Sequence, residues 1–262
     1  MSTLSDALRD SATMLRRDVR HSLRLLSMTL SGFLTPVVML ALFVYFFGGA
    51  LGAGLGRVAH GSYIDYVAPA IIIMTVGSGC ATTAINLCMD MAEGIIARFR
   101  TMAISRAAVL TGQVLGSLLR TLISVGLVIG VALLMGFRPT TNPGAWLAAL
   151  GLVALFTFAL TWMGVLFGLV GKTPAGANSL SLIFQFLLPF TSSAFVRPES
   201  MPAGVRWFAE NQPLTPIIDT LRGLLLGTPI GHSAVLAVAW CVGLALVGYL
   251  GARTLFNRAP AR

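Results

Sequence analysis

Six long apolar runs alternate with short polar stretches along the chain, at residues 28–47, 63–88, 121–137, 146–170, 180–196 and 233–250. About 20 apolar residues in a helix cross the roughly 30 Å of hydrocarbon in a bilayer, so the pattern predicts an all-α integral membrane protein with six transmembrane helices. The first run contains Pro36 and ends in Tyr45, Phe46 and Phe47. Neighbouring helices take up the carbonyl that a proline frees, and an aromatic cluster suits the membrane interface. The second run opens near Asp65 and contains TVGSGCATTA at residues 75–84. Small and hydroxyl side chains let helices approach closely and hydrogen bond to one another. Packing is therefore the first reading of this run, and a polar patch on a transport path the second.

Three stretches depart from the simple alternation. Before the first run, Leu4, Leu8, Ala12, Leu15, Val19, Leu23 and Leu26 recur at three- and four-residue steps, with Arg9, Arg16, Arg20 and Arg24 off that stripe. Such a basic amphipathic helix is expected to lie in the membrane interface, and a soluble helix docked on a partner is the alternative. Residues 90–120 carry Asp90, Glu93, Arg98, Arg100 and Arg106, then space Val109, Leu110, Val114, Leu118 and Leu119 as one helix face. A helix starting near Ala107 puts Arg120 about 20 Å along it. Either Arg120 is buried in the bilayer, where it would mark function, or the helix begins outside the membrane and Arg120 sits near the interface; residues 121–137 are already nearly long enough to span, which favours the second. Residues 197–229 mix Arg197, Glu199, Arg206, Glu210, Asp219 and Arg222 with Trp207, Phe208 and the apolar run 221–226. That segment is too polar to span and too apolar for a free loop. Two short re-entrant helices satisfy both facts, since backbone at such depth must be covered by protein or face water.

Composition agrees with a membrane chain. Of 262 residues, 56% are hydrophobic and 10% charged, against about 25% charged in an ordinary soluble domain. Beside six spans no soluble domain fits, and the first 24 residues are too polar to supply the core of a cleavable signal. A net charge of +9 would point to nucleic acid in a soluble protein. Here the arginines flank apolar runs, where they set orientation and meet anionic lipid head groups, and no nucleic-acid partner is expected. Six spans put Arg9, Arg16, Arg17, Arg20, Arg24, Arg98, Arg100, Arg106, Lys172, Arg253, Arg258 and Arg262 on one side, against Arg57, Arg138, Arg197, Arg206 and Arg222 on the other. The richer side is expected to be cytoplasmic, which makes both termini and the Asp90 loop cytoplasmic and residues 197–229 external. The single lysine, with abundant Ala, Gly and Leu, matches a GC-rich bacterial genome. Cys80, Cys88 and Cys241 sit in apolar runs without metal spacing, as buried free thiols do, and no ligand role falls on His21, His60 or His232.

Catalytic chemistry is not expected in this chain. It has no GxxxxGK[ST] phosphate loop, so ATP, if used, is hydrolysed elsewhere, and its apolar runs hold no paired acidic or histidine relay of the kind a proton-driven carrier needs. Asp90, Glu93, Gly94, Ala97 and Arg98 echo the opening of the CDP-alcohol phosphatidyltransferase signature, but its later Gly and two Asp fall on Ala107, Thr111 and Leu115. Without the second carboxylate pair no two-metal site forms.

Residues 90–120 resemble the central cytoplasmic segment of ABC-2 type permeases, the membrane subunits of bacterial ABC exporters, through Glu93, Gly94, Arg98, Arg100, Thr101, Ile104, Ser105 and Arg106. A second match lies in residues 192–227, where Asn211, Pro213, Asp219, Arg222 and Gly223 fall as in the daunorubicin-resistance type of permease. Arg197 departs from that pattern, which has a small or apolar residue beside Pro198. The resemblance implies one ABC-2 type transmembrane domain over residues 1–262, comprising an interfacial helix at 1–27, a six-span bundle at 28–251 and a cytoplasmic tail at 252–262. It implies a bacterial inner-membrane exporter subunit for an amphipathic or lipid-like substrate. Its partners would be a second copy or a related permease, membrane lipids, and two ATP-binding subunits that hold the ATP and magnesium. The interfacial helix with Arg16 and Arg20, and a coupling helix in residues 91–101, would receive the ATPase motion. Phe99 would fill a partner cleft, and Asp90, Glu93, Arg98, Arg100 and Thr101 would line the contact, with charge fixing its register. Residues 197–229 would form an external lid, with Asn211, Pro213 and Pro216 holding a bend and Asp219 and Arg222 spaced as an i,i+3 pair. A non-transporting membrane scaffold and a proton-coupled carrier are the competing readings, and neither requires an ATP-binding partner.

Overall fold

The computed structural model describes residues 26–47, 63–92, 106–139, 142–196 and 198–258. Every regular element among them is helical. In chain order they are α1 (Leu26–Leu42), which runs on into a π-helical turn (Phe43–Phe47), α2 (Tyr63–Ala92), α3 (Arg106–Leu134), α4 (Pro143–Val170), α5 (Pro174–Leu182), α6 (Ala203–Asn211), α7 (Leu214–Leu226) and α8 (Ser233–Arg258). Four segments are long and apolar enough to cross a membrane: Tyr63–Ala92, Gly112–Leu134, Pro143–Val170 and Ser233–Leu255. A shorter apolar helix covers Leu34–Phe46. The interfacial helix expected at 1–27 and the coupling helix expected at 91–101 lie largely outside the described residues.

Polar side chains and prolines punctuate these helices where the sequence supplies them. Asn142 caps α4 by accepting from the Gly144 amide at 3.0 Å, and Thr173 caps α5 by accepting from Gly176 at 3.1 Å, each followed by a proline at the first helical position. Proline is pre-set for that place, where its missing N–H is not needed. The fifth apolar run begins and ends earlier than its hydrophobicity suggests. The helical path starts at Pro174, widens into a π turn over Ile183–Leu187 and stops after Phe190. Pro189 has no N–H to give, which favours the widened turn before it. Thr191 Oγ1 then donates to the Leu187 carbonyl at 2.8 Å and Ser192 Oγ to that of Pro189 at 2.6 Å, closing the end.

At the centre of the bundle lies α2, whose residues from Ile64 to Val76 are almost all buried. It packs on α4 through small residues: a Cβ on Gly164 would stand 2.6 Å from the Cys80 carbonyl oxygen, and one on Gly168 would stand 2.8 Å from that of Ala84. The other side of α4 meets α8 in the same way, a Cβ on Gly248 falling 2.7 Å from the Trp162 carbonyl carbon. Close approach of this kind is how membrane helices gain dispersion energy, since lipid gives them no hydrophobic drive to associate. By contrast α8 and α3 leave most of their apolar surface outward, with Ile123 58%, Leu134 88%, Val235 71% and Val247 58% exposed.

Candidate functional site

At the end of the bundle marked by Asp65, three segments distant in sequence meet on Arg222. Its Nη1 donates to Asp219 Oδ1 at 2.8 Å, and its Nη2 donates to the carbonyls of Ser193 at 3.0 Å and Tyr66 at 3.3 Å. Its guanidinium carbon stands 3.9 Å from the centre of the Tyr66 ring. Ser193 Oγ donates to the same Asp219 oxygen at 2.7 Å, and Tyr66 Oη donates to the Ser193 carbonyl at 2.9 Å. The Arg222 side chain is 14% exposed and that of Asp219 38%. Helical spacing brings the two charges to one face of α7, and the planar fork of arginine then reaches two further backbones. A charge-assisted hydrogen bond contributes about 1.5–3 kcal/mol and a desolvated cation–π contact about 2 kcal/mol. The cluster therefore clamps α7, the first turn of α2 and the turn after α5 together. The clamp is not fully satisfied, because the buried Arg222 Nε has no hydrogen-bond partner among the described residues, and an orphaned buried donor costs free energy.

The bend between α6 and α7 sets Arg222 in place. Asn211 Nδ2 donates to the Trp207 carbonyl at 2.7 Å at the end of α6. Gln212 is extended, at φ −79° and ψ 159°, as a residue before proline must be. Pro213 opens α7, and Pro216 falls in its first turn. Gln212 Nε2 donates to the Leu188 carbonyl at 3.1 Å, and Thr215 Oγ1 donates to that of Ala209 at 2.5 Å, so buried side chains lock the bend to the helical turn Leu188–Phe190 and to α6. Past α7, Gly227 at φ +71° reverses the chain toward α8, a conformation glycine adopts without strain. The two short helices expected before the last span are thus α6 and α7.

A second polar group lies midway along α2. Gln185, in the π turn after α5, donates to Ser78 Oγ at 3.2 Å, and a Cβ on Gly77 would fall 2.8 Å from the Phe184 carbonyl oxygen. Thr83 and Ser117 are hydrogen bonded to each other across the α2–α3 seam, and Thr121 fills the space that a side chain at Gly79 would need. Packing thus accounts for Gly77, Gly79, Thr83 and the buried Thr75. The same contacts fix the axial register of α3. Arg120 sits at the middle of the Arg106–Leu134 helix, about 20 Å from either end and level with the middle of α2.

The family model for the ABC-2 type transporter matches residues 10–226. The chain belongs to the ABC-2 type transporter family. It is 29% identical over 223 residues to a daunorubicin resistance ABC transporter permease protein, DrrB1, of Streptomyces coeruleorubidus, covering 85% of this chain and 74% of that protein. It is 24% identical over 211 residues to a probable doxorubicin resistance ABC transporter permease protein, DrrC, of Mycobacterium tuberculosis, covering 80% and 76%. Family and apolar helices together make it a membrane protein, an ABC transporter permease.

Within this ABC-2 permease, Asn211, Pro213, Pro216, Asp219 and Arg222 come together in one structural unit. Asp90 lies in the last turn of α2, at the opposite end of the bundle. Arg16, Arg20, Glu93, Arg98, Phe99, Arg100 and Thr101 fall outside the described residues. Tyr66, Ser193, Gln212 and Thr215 were not singled out in the sequence. Arg222 is met by the backbone carbonyls of Tyr66 and Ser193, which no residue type marks, and only the Ser193 hydroxyl, which donates to Asp219, depends on the side chain. No group of three or more metal-binding side chains occurs among the described residues.

Proposed function

We propose that this chain is the membrane half of an ATP-driven exporter that takes an amphipathic substrate from the cytoplasm or inner leaflet and releases it outside. The observation that carries this reading is the match, over most of the chain, to permeases named for resistance to daunorubicin and doxorubicin, which are themselves amphiphiles. In this reading both termini and the Asp90 end are cytoplasmic, six segments cross the inner membrane, and α6 and α7 form an external lid. Two copies, or one copy and a related permease, enclose the path, and two separate ATP-binding subunits supply the work. ATP and magnesium reside in those subunits, and Glu93, Arg98, Phe99, Arg100 and Thr101, with Asp90, Arg16 and Arg20, form the surface they push. The Arg222 clamp holds the external lid shut until that push arrives.

The test is ATP-dependent daunorubicin uptake into inverted membrane vesicles that carry this chain with a co-purifying ATP-binding subunit. Uptake that Phe99→Ala abolishes while ATP hydrolysis continues supports the exporter and its coupling surface. If no nucleotide-binding protein co-purifies in mild detergent, the chain is a scaffold or carrier and this reading falls. Cysteine at Glu199 is expected to be labelled from outside intact cells and cysteine at Thr101 is not, and the reverse pattern overturns the orientation.

A further inference from the structure

One face of α2 changes character halfway along. Ile64, Ala68, Ile71 and Thr75 recur at four- and three-residue steps and are all buried, at 2%, 1%, 0% and 2% exposure. The same stripe continues through Ser78, Thr82, Asn86 and Asp90, and there every member is only partly buried. In its upper part the stripe joins a core with Leu40 and Phe43 of the first helical segment, whereas below Thr75 it is polar and only partly covered.

The facing helix carries a matching set. Thr83 with Ser117 and Gly79 with Thr121 define the α2–α3 seam. Because the helices run antiparallel and each residue turns about 100°, Ser78, Thr82 and Asn86 fall on the same side of that seam as Gln113, Arg120 and Ser124. All of these are only partly buried. Thr82 and Ser124 satisfy their hydroxyls on carbonyls of their own helices, at 3.0 and 3.2 Å, and Ser78 is bonded to Gln185. The amides of Asn86 and Gln113 make no hydrogen bond to any described residue. An amide left unmet beside hydrocarbon costs several kcal/mol, so both call for water or a polar ligand.

We propose that the Asp90 half of the α2–α3 seam is a polar cleft, shut at its Asp65 end, that takes the hydroxylated head of an amphiphile while the apolar body stays in lipid. Amides and hydroxyls each donate and accept, which suits a sugar or polyol rather than a bare ion. Asn86 and Gln113 stand where such a head enters, and Ser78 with Gln185 marks the depth it reaches. This assignment rests on the exporter reading for its direction, the cleft opening toward the cytoplasm.

The test uses inverted vesicles holding the full transporter with its ATP-binding subunits. Asn86→Cys, Gln113→Cys, Thr82→Cys and the lipid-facing control Ile123→Cys are treated with a membrane-impermeant cationic thiol reagent. Cys80, Cys88 and Cys241 are buried, so the unsubstituted chain gives the background. The three cleft cysteines are expected to react and the Ile123 position to stay at background. Daunorubicin, an amphiphile with a sugar-bearing end, should slow the labelling of Asn86→Cys and Gln113→Cys. Asn86→Leu should raise KM for daunorubicin uptake about fivefold at unchanged kcat, as loss of one hydrogen bond does. Background labelling at all three positions overturns the cleft. Labelling that daunorubicin does not slow, in vesicles that still pump it, overturns the binding role and leaves the exporter reading standing. If the vesicles do not pump daunorubicin, the exporter reading fails on that drug, and protection from labelling still decides the cleft.

Discussion

The two ends of α2 are built on opposite terms. At the Asp65 end its stripe is buried, Asp65 accepts from the Arg138 amide at 3.1 Å, and Tyr66 joins α7 and the Ser193 turn through Arg222. At the Asp90 end the same stripe is polar and only partly buried, and the amides of Asn86 and, across the seam, Gln113 make no hydrogen bond to any described residue. One helix thus carries a sealed half and an open half, with the change near Thr75 and Ser78. The difference teaches that one rigid helix can carry a sealed end and a polar, partly covered end, and in the exporter reading proposed above the work of switching falls on the clamp at the sealed end.

The largest effect is expected where that clamp is removed. Arg222→Leu leaves Asp219 and two carbonyls without their shared donor and should destabilise the closed end by about 3–5 kcal/mol. In purified protein this appears as a lower melting temperature, and in vesicles as drug leakage without ATP. Asp219→Asn keeps the acceptor oxygen and should cost less. The double variant should fall short of the sum, because both changes strike one network. Additive losses would mean that Arg222 and Asp219 are separate contacts and that the end is sealed by apolar packing alone.

A smaller loss should follow from forcing α2 and α4 apart. A valine at Gly164 would place carbon 2.6 Å from the Cys80 carbonyl oxygen and 3.1 Å from Thr83 Cβ, an overpacking that typically costs about 1–3 kcal/mol. Because Gly164 packs on Cys80 and Thr83, level with Thr82, the variant should also disturb the proposed cleft and speed thiol labelling at Thr82→Cys. Unchanged labelling with a lowered melting temperature would confine the role of Gly164 to stability.

How much of this was legible in the sequence depends on how local the cause is. The bend at Asn211, Pro213 and Pro216 and the pairing of Asp219 with Arg222 follow from proline chemistry and helical spacing, and both are present in the structure. The partners that turn the pair into a clamp, Tyr66 and Ser193, lie 156 and 29 residues away from Arg222, and no local pattern announces them. The level of Arg120 against α2 was hidden for the same reason. Hydropathy of residues 121–137 speaks to span length, whereas register against α2 is set by Thr83 meeting Ser117. The fifth run shifted because Thr173, Thr191 and Ser192 set helix ends that an apolar count ignores. The family pattern was visible in residues 90–120 and 192–227, where short polar motifs stand out from an apolar background.

The smallest expected effect calibrates the clamp against an ion pair of similar chemistry. Arg206 Nε donates to Glu210 Oε1 at 2.8 Å, the same separation as Arg222 to Asp219, but with side chains 47% and 46% exposed. An exposed i,i+4 pair contributes about 0.3–0.5 kcal/mol, since water and salt screen it and two long side chains must be ordered. Arg206→Ala should therefore leave the melting temperature and the leak rate within error, and raising salt should not separate it from the unsubstituted chain. Distance is equal in the two pairs and burial is not, so any difference between Arg206→Ala and Arg222→Leu measures what desolvation and the two extra carbonyl contacts add. If the two substitutions cost the same, the buried network around Tyr66 and Ser193 contributes nothing beyond a surface pair, and the sealed end of α2 owes its closure to Ile64, Ala68 and Ile71.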